Sequence, residues 1–73
     1  MSLAAQKGEV LMIDNEERLL RIKEVSARTG LSRSTIYLMI QRGHFPAPAH
    51  LTTRTVAWSA RAVSGWIEMK LAA

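Results

Sequence analysis

The sequence predicts a small domain that is mainly α with a small β wing, and three observations carry that expectation. Gly30 and Gly43 each stand just past a short run with helical spacing of apolar residues, where the residue after a helix favours positive φ. Between them, Ser32 is placed to cap the run Arg33-Ser34-Thr35-Ile36-Tyr37-Leu38-Met39-Ile40-Gln41-Arg42. Downstream, Phe45-Pro46-Ala47-Pro48 cannot be helical, because each proline fixes φ, lacks an N–H and pushes its predecessor toward extended backbone; β-prone residues follow it.

Each element follows in order. Residues 1–17 show neither sustained periodicity nor a turn grammar, and Val10-Leu11-Met12-Ile13 is an isolated apolar patch flanked by charge, so this part is read as a flexible N-terminal arm ahead of a domain at 18–73. Leu19-Leu20-Arg21-Ile22 reads as an edge strand and residues 23–29 as a two-turn helix, with Ile22 and Val25 sharing a face. Gly30 ends that helix, and Leu31 packs back on it. In the next helix, at about 100° per residue, Ile36, Met39 and Ile40 fall on one side. Ser34, Leu38 and Gln41 point the opposite way, bordered by Arg33, Thr35, Tyr37 and Arg42. His50-Leu51 and Thr55-Val56-Ala57-Trp58 bracket Thr52-Thr53-Arg54, which suggests a small hairpin with Arg54 near its tip. Ser59 then caps a last helix with an apolar stripe of Val63, Trp66, Ile67, Met69 and Leu71. Phe45, Trp58, Trp66, Ile36 and Ile40 are the expected core.

Length and composition narrow the function. A chain of 73 residues is one domain with no room for a catalytic one, and it contains no nucleophile–base pair, metal cluster or phosphate-binding glycine loop. It is therefore read as a non-enzyme without cofactor. With no cysteine there is neither a disulfide framework nor a thiolate metal site, and His44 and His50 lack partners for a closed zinc site. No apolar run approaches the roughly 20 residues that span a bilayer, and no signal-like start is visible, so the expectation is a cytoplasmic protein with no membrane partner. The net charge of +4 hides an asymmetry. Glu9, Asp14, Glu16 and Glu17 lie in the arm, whereas residues 18–61 carry eight cations against Glu24 alone. So basic a segment is self-repelling unless it meets a polyanion, which makes nucleic acid the first partner to test.

Two short helices joined by Gly30-Leu31-Ser32 make a helix-turn-helix, in which the second helix presents its N-terminal half to a major groove. Its outer face carries Arg33, Ser34, Thr35, Gln41 and Arg42 and no acid, where a plain bundle helix would mix Glu with Lys. The spacing Glu24-Val25-x-x-x-Thr29-Gly30-Leu31-Ser32-Arg33-Ser34-Thr35-Ile36-Tyr37, then Gly43-x-Phe45-Pro46-x-Pro48, Arg54-x-Val56-x-Trp58 and Val63-x-x-Trp66-Ile67 resembles the AlpA family of prophage regulators. These are relatives of the MerR-like winged-helix excisionases, and the resemblance covers about residues 18–71. It implies a winged helix-turn-helix that binds double-stranded DNA to regulate transcription, excision or both. Members usually have glycines where this chain has Thr52 and Thr53, and commonly a basic residue at the position of Leu38.

On this reading the DNA-binding residues are Lys23, Ser32, Arg33, Ser34, Thr35, Tyr37, Leu38, Gln41, Arg42 and Arg54, with a recognition helix over about 32–42. Arg33 and Arg42 suit either guanine edges or phosphates, while Ser34, Thr35 and Gln41 suit base edges or phosphate oxygens. Tyr37 offers a hydroxyl to phosphate, and Leu38 an apolar contact to a thymine methyl. Lys23 and Arg28 would hold flanking backbone from the first helix, and Arg54 would act from the wing. One monomer presents one recognition helix, so tight binding calls for a homodimer or cooperative assembly on DNA. Two alternatives stay open: an architectural excisionase bending attachment-site DNA, and a protein-interaction module using Leu38, Met69 and Leu71.

Overall fold

The computed structural model describes residues 18–73, and the arm expected over 1–17 lies outside the described residues. The chain runs β1 (Leu19–Leu20), α1 (Ile22–Thr29), α2 (Arg33–Gln41), β2 (Ala49–His50), β3 (Val56–Ser59) and α3 (Ala60–Ala72). This is a mostly helical domain with a small antiparallel sheet, consistent with the winged helix-turn-helix expected from sequence. The sheet order is β1-β3-β2, with Leu20 opposite Trp58 and His50 opposite Val56. The expected hairpin is thus two-thirds of a sheet that β1 completes from the other edge.

The first strand is shorter than its apolar run suggested. Ile22 already begins α1, because Arg21 holds extended backbone (φ −84°, ψ 165°) and its carbonyl accepts from the N–H groups of Glu24 and Val25. Both serine caps form as read: Ser32 Oγ accepts from the Thr35 N–H, and Ser59 Oγ from the Ala62 N–H. Each satisfies one of the donors that the first turn of a helix leaves unpaired.

Leu20, Val25, Ile36, Trp58 and Val63 are fully buried, and Phe45 and Ala60 close the cluster. One residue from each main element thereby meets at a single point, each large side chain contributing roughly 1.5–3 kcal/mol of burial. Trp66 and Ile40, expected in the core, are instead half-buried at its edge. The connector after α2 is held by two indoles. Trp58 Nε1–H donates to the Pro46 carbonyl at 3.0 Å, and Trp66 Nε1–H donates to the His44 carbonyl at 2.9 Å. Phe45 sits between these anchor points, edge-on to Trp66 with ring centroids 4.8 Å apart. Among the described residues no helix is long and apolar enough to cross a membrane.

Candidate nucleic-acid interface

The turn between α1 and α2 is fixed by local hydrogen bonds that its residue types supply. Gly30 adopts φ 76°, ψ 9°, and its N–H donates to the Ser26 carbonyl at 2.9 Å. Thr29 Oγ1 donates to the Val25 carbonyl and accepts from the Leu31 N–H, while Ser26 Oγ donates to the Leu31 carbonyl at 2.6 Å. Three residues of turn therefore leave few backbone groups unpaired, and the angle between the helices is set before any ligand arrives.

α2 divides its surface as the period requires. Ile36 is fully buried and Met39 and Ile40 are half-buried. Arg33, Ser34, Thr35, Tyr37, Leu38 and Gln41 are exposed, as is Arg42, which ends the helix. Ser34, Tyr37, Leu38, Ile40 and Gln41 line one shallow depression on this face. It mixes the polar groups of Ser34, Tyr37 and Gln41 with the apolar side chains of Leu38 and Ile40, and no acid stands on the helix.

Local contacts assign further roles. Ser32 Oγ donates to Thr35 Oγ1 at 2.9 Å while accepting the Thr35 N–H, so its hydroxyl is engaged in the cap. Tyr37 leans edge-on against buried Trp58 (6.0 Å, 62°), which fixes the ring and leaves the residue 43% exposed beside Leu38. These partners are 21 positions apart, and nothing in the local pattern signalled the contact.

In α1, Lys23 is exposed on the outer surface. Arg28 is less available, because its guanidinium lies 3.6 Å from Glu24, which also pairs with Arg18 at 2.6 Å. Glu24 is the single acid among residues 18–67 and gathers two cations of the basic surface. Arg21, exposed at the β1–α1 junction, is a cation of the same surface that the sequence reading left out; the charge count alone could have nominated it.

The wing turns without glycine. Leu51 and Thr52 donate N–H groups to the Thr55 carbonyl, and Thr52 Oγ1 accepts from the Arg54 N–H at 3.2 Å. Among the described residues no non-glycine residue has positive φ, so Thr52 and Thr53 occupy ordinary backbone and the threonine hydroxyl replaces the conformational role of a glycine. Arg54 is exposed in this turn, as expected.

The model of the family described as Prophage CP4-57 regulatory protein (AlpA) matches residues 18–71. A protein of Enterobacteria phage P4 described as Uncharacterized protein ORF88 is 44% identical over 57 residues, which cover 78% of this chain and 65% of that protein. The chain thus spans just under two thirds of the relative's length. A family match that runs from just before β1 to the penultimate residue of α3, with both glycine turns and both serine caps inside it, leaves one assignment: the chain belongs to the AlpA family of prophage regulatory proteins.

Proposed function

We propose that this protein binds double-stranded DNA sequence-specifically, with α2 in the major groove, and regulates transcription of phage or prophage genes in the bacterial cytoplasm. The observation that carries the reading is the acid-free exposed face of α2, held rigidly by a capped turn and flanked by Arg33 and Arg42. Ser34, Leu38 and Gln41 read base edges, the leucine through a thymine methyl. Lys23, Arg42 and Arg54 contact phosphates, Thr35 and Tyr37 offer hydroxyls to the backbone, and Arg33 makes a bidentate contact to guanine. Ser32 serves the interface through its cap. Two copies, paired or bound side by side, supply the second recognition helix. No enzymatic step and no cofactor enters this function.

Fluorescence anisotropy on duplex fragments from around the protein's own gene tests it. With three cations on phosphates (Lys23, Arg42, Arg54), log affinity falls with log salt at a slope of about −2.7. A flat salt dependence, or equal affinity for all fragments, refutes the proposal. Footprinting then separates regulation from excision: protection over a promoter supports the first, protection over an attachment site alone the second.

A further inference from the structure

The last two turns of α3 overhang the domain. Met69 is 63% exposed and Leu71 80%. Ala62, Trp66, Met69 and Lys70 recur at helical spacing on one side of α3 and, with Phe45 and Pro46 from the connector, line an open groove of about 490 Å³. Lys70 Nζ stands over the Trp66 ring, 5.6 Å from its centroid, placing a cation at the edge of an apolar floor. This groove lies on α3 and the connector and shares no residue with the reading strip of α2.

The chain itself supplies a segment with matching chemistry. Residues 1–17 contain one apolar run, Val10-Leu11-Met12-Ile13, bracketed by Glu9 and Asp14. That stretch has four acids against Lys7, a net −3, whereas residues 18–73 have nine cations against Glu24 and Glu68, a net +7. Its connection to the domain is also well placed. The Arg18 carbonyl accepts from the Ala60 N–H at 2.8 Å, so the segment joins the domain at the first residue of α3. From Ala60 to Trp66 is about 9 Å along the helix axis, and to Met69 about 14 Å, at 1.5 Å per residue. The five residues from Ile13 to Arg18 span up to about 17 Å when extended. Fully extended, these five residues carry the end of the apolar run as far along α3 as Trp66 and Met69, and its acidic flanks complement Lys70 at the edge of the groove.

We infer that the run Val10-Leu11-Met12-Ile13 docks intramolecularly in the groove between α3 and the connector, covering Trp66 and Met69. This inference does not depend on DNA binding, and its test contains no DNA.

The chain has no cysteine, so introduced pairs report without background. In the full chain, Leu11→Cys/Met69→Cys is oxidised at low protein concentration beside the control pair Leu11→Cys/Leu38→Cys, whose second site lies on the reading face. Docking raises the local concentration of one thiol at the other, so the first pair closes an internal disulfide about tenfold faster or more than the control. A covalent dimer as the main product means that a second copy fills the groove and overturns the inference. Equal rates for both pairs, or a faster control, overturn it too. A second variant, Leu11→Asp/Met12→Asp, is read by the indole N–H resonances in two-dimensional NMR. The Trp66 signal shifts while that of fully buried Trp58 stays in place; an unmoved Trp66 signal refutes docking.

Discussion

The same methyl group, added at two glycines, should change stability in opposite directions. At Gly30 the backbone holds φ 76°, and a Cβ built there meets nothing within 4 Å. The cost of Gly30→Ala is therefore strain within the residue, about 1–2 kcal/mol for the left-handed region, reduced by the roughly 0.4–1 kcal/mol gained through a less flexible unfolded chain. The net expectation is about 1 kcal/mol of destabilisation. At Gly65, inside α3, a Cβ again meets nothing within 4 Å and the backbone is helical. There Gly65→Ala stabilises by about 0.8–1 kcal/mol, because alanine loses less backbone entropy in a helix. Urea unfolding followed by tryptophan fluorescence should show the two midpoints moving apart with unchanged slope. For a domain of this size each kcal/mol corresponds to about 4–8 °C in Tm. Gly30→Asn should recover part of the loss, since asparagine visits the left-handed region more readily. Midpoints moving in the same direction would refute the reasoning. So would a loss above about 3 kcal/mol at Gly30, which would require a close contact that the structure lacks.

Three further outcomes are expected. Ser32→Ala removes the cap of α2 and should cost about 1 kcal/mol in the same unfolding assay. Arg33→Ala and Gln41→Ala should weaken binding to the specific site more than to random duplex, whereas Arg54→Ala should weaken both about equally; competition anisotropy distinguishes them, and uniform loss for the first pair would reassign both residues to phosphate. Trp58→Phe takes the indole donor from the Pro46 carbonyl and leaves a gap beside Tyr37, so unfolding should show a loss of about 1–3 kcal/mol; no loss would mean that water satisfies the carbonyl and the core closes over the gap.

The sequence was most readable where one residue type has one local use. Gly30 and Gly43 have the positive φ expected of them, and Ser32 and Ser59 cap the helices they precede. The buried side of α2 follows from its period alone. What stayed hidden depends on residues far apart in the chain. β1 pairs with β3 across some 38 positions (Leu20 with Trp58), Tyr37 is oriented by Trp58, and the Trp66 N–H finds its acceptor on His44, 22 positions away. Size alone places Trp66 in the core, but its N–H needs a partner, and the His44 carbonyl that provides one lies at the surface. Ile22 misled in another way, since apolar character does not separate the end of a two-residue strand from the start of a helix.

If the protein binds DNA as proposed, the two indole clamps on the connector have a consequence for how target sites must be laid out. By pinning the carbonyl of His44 to α3 and that of Pro46 to the sheet, they fix the offset between the end of α2 and the wing that carries Arg54. The two elements then act as the jaws of a gauge, set during folding instead of during the encounter. Duplex DNA presents a phosphate on each strand about every 3.4 Å of helix axis, so a fixed span engages both jaws in one register at a time. Little entropy remains to be lost on engagement. Inserting a single residue between Pro46 and Pro48 should move the wing off that register while leaving α2, its caps and its reading strip intact.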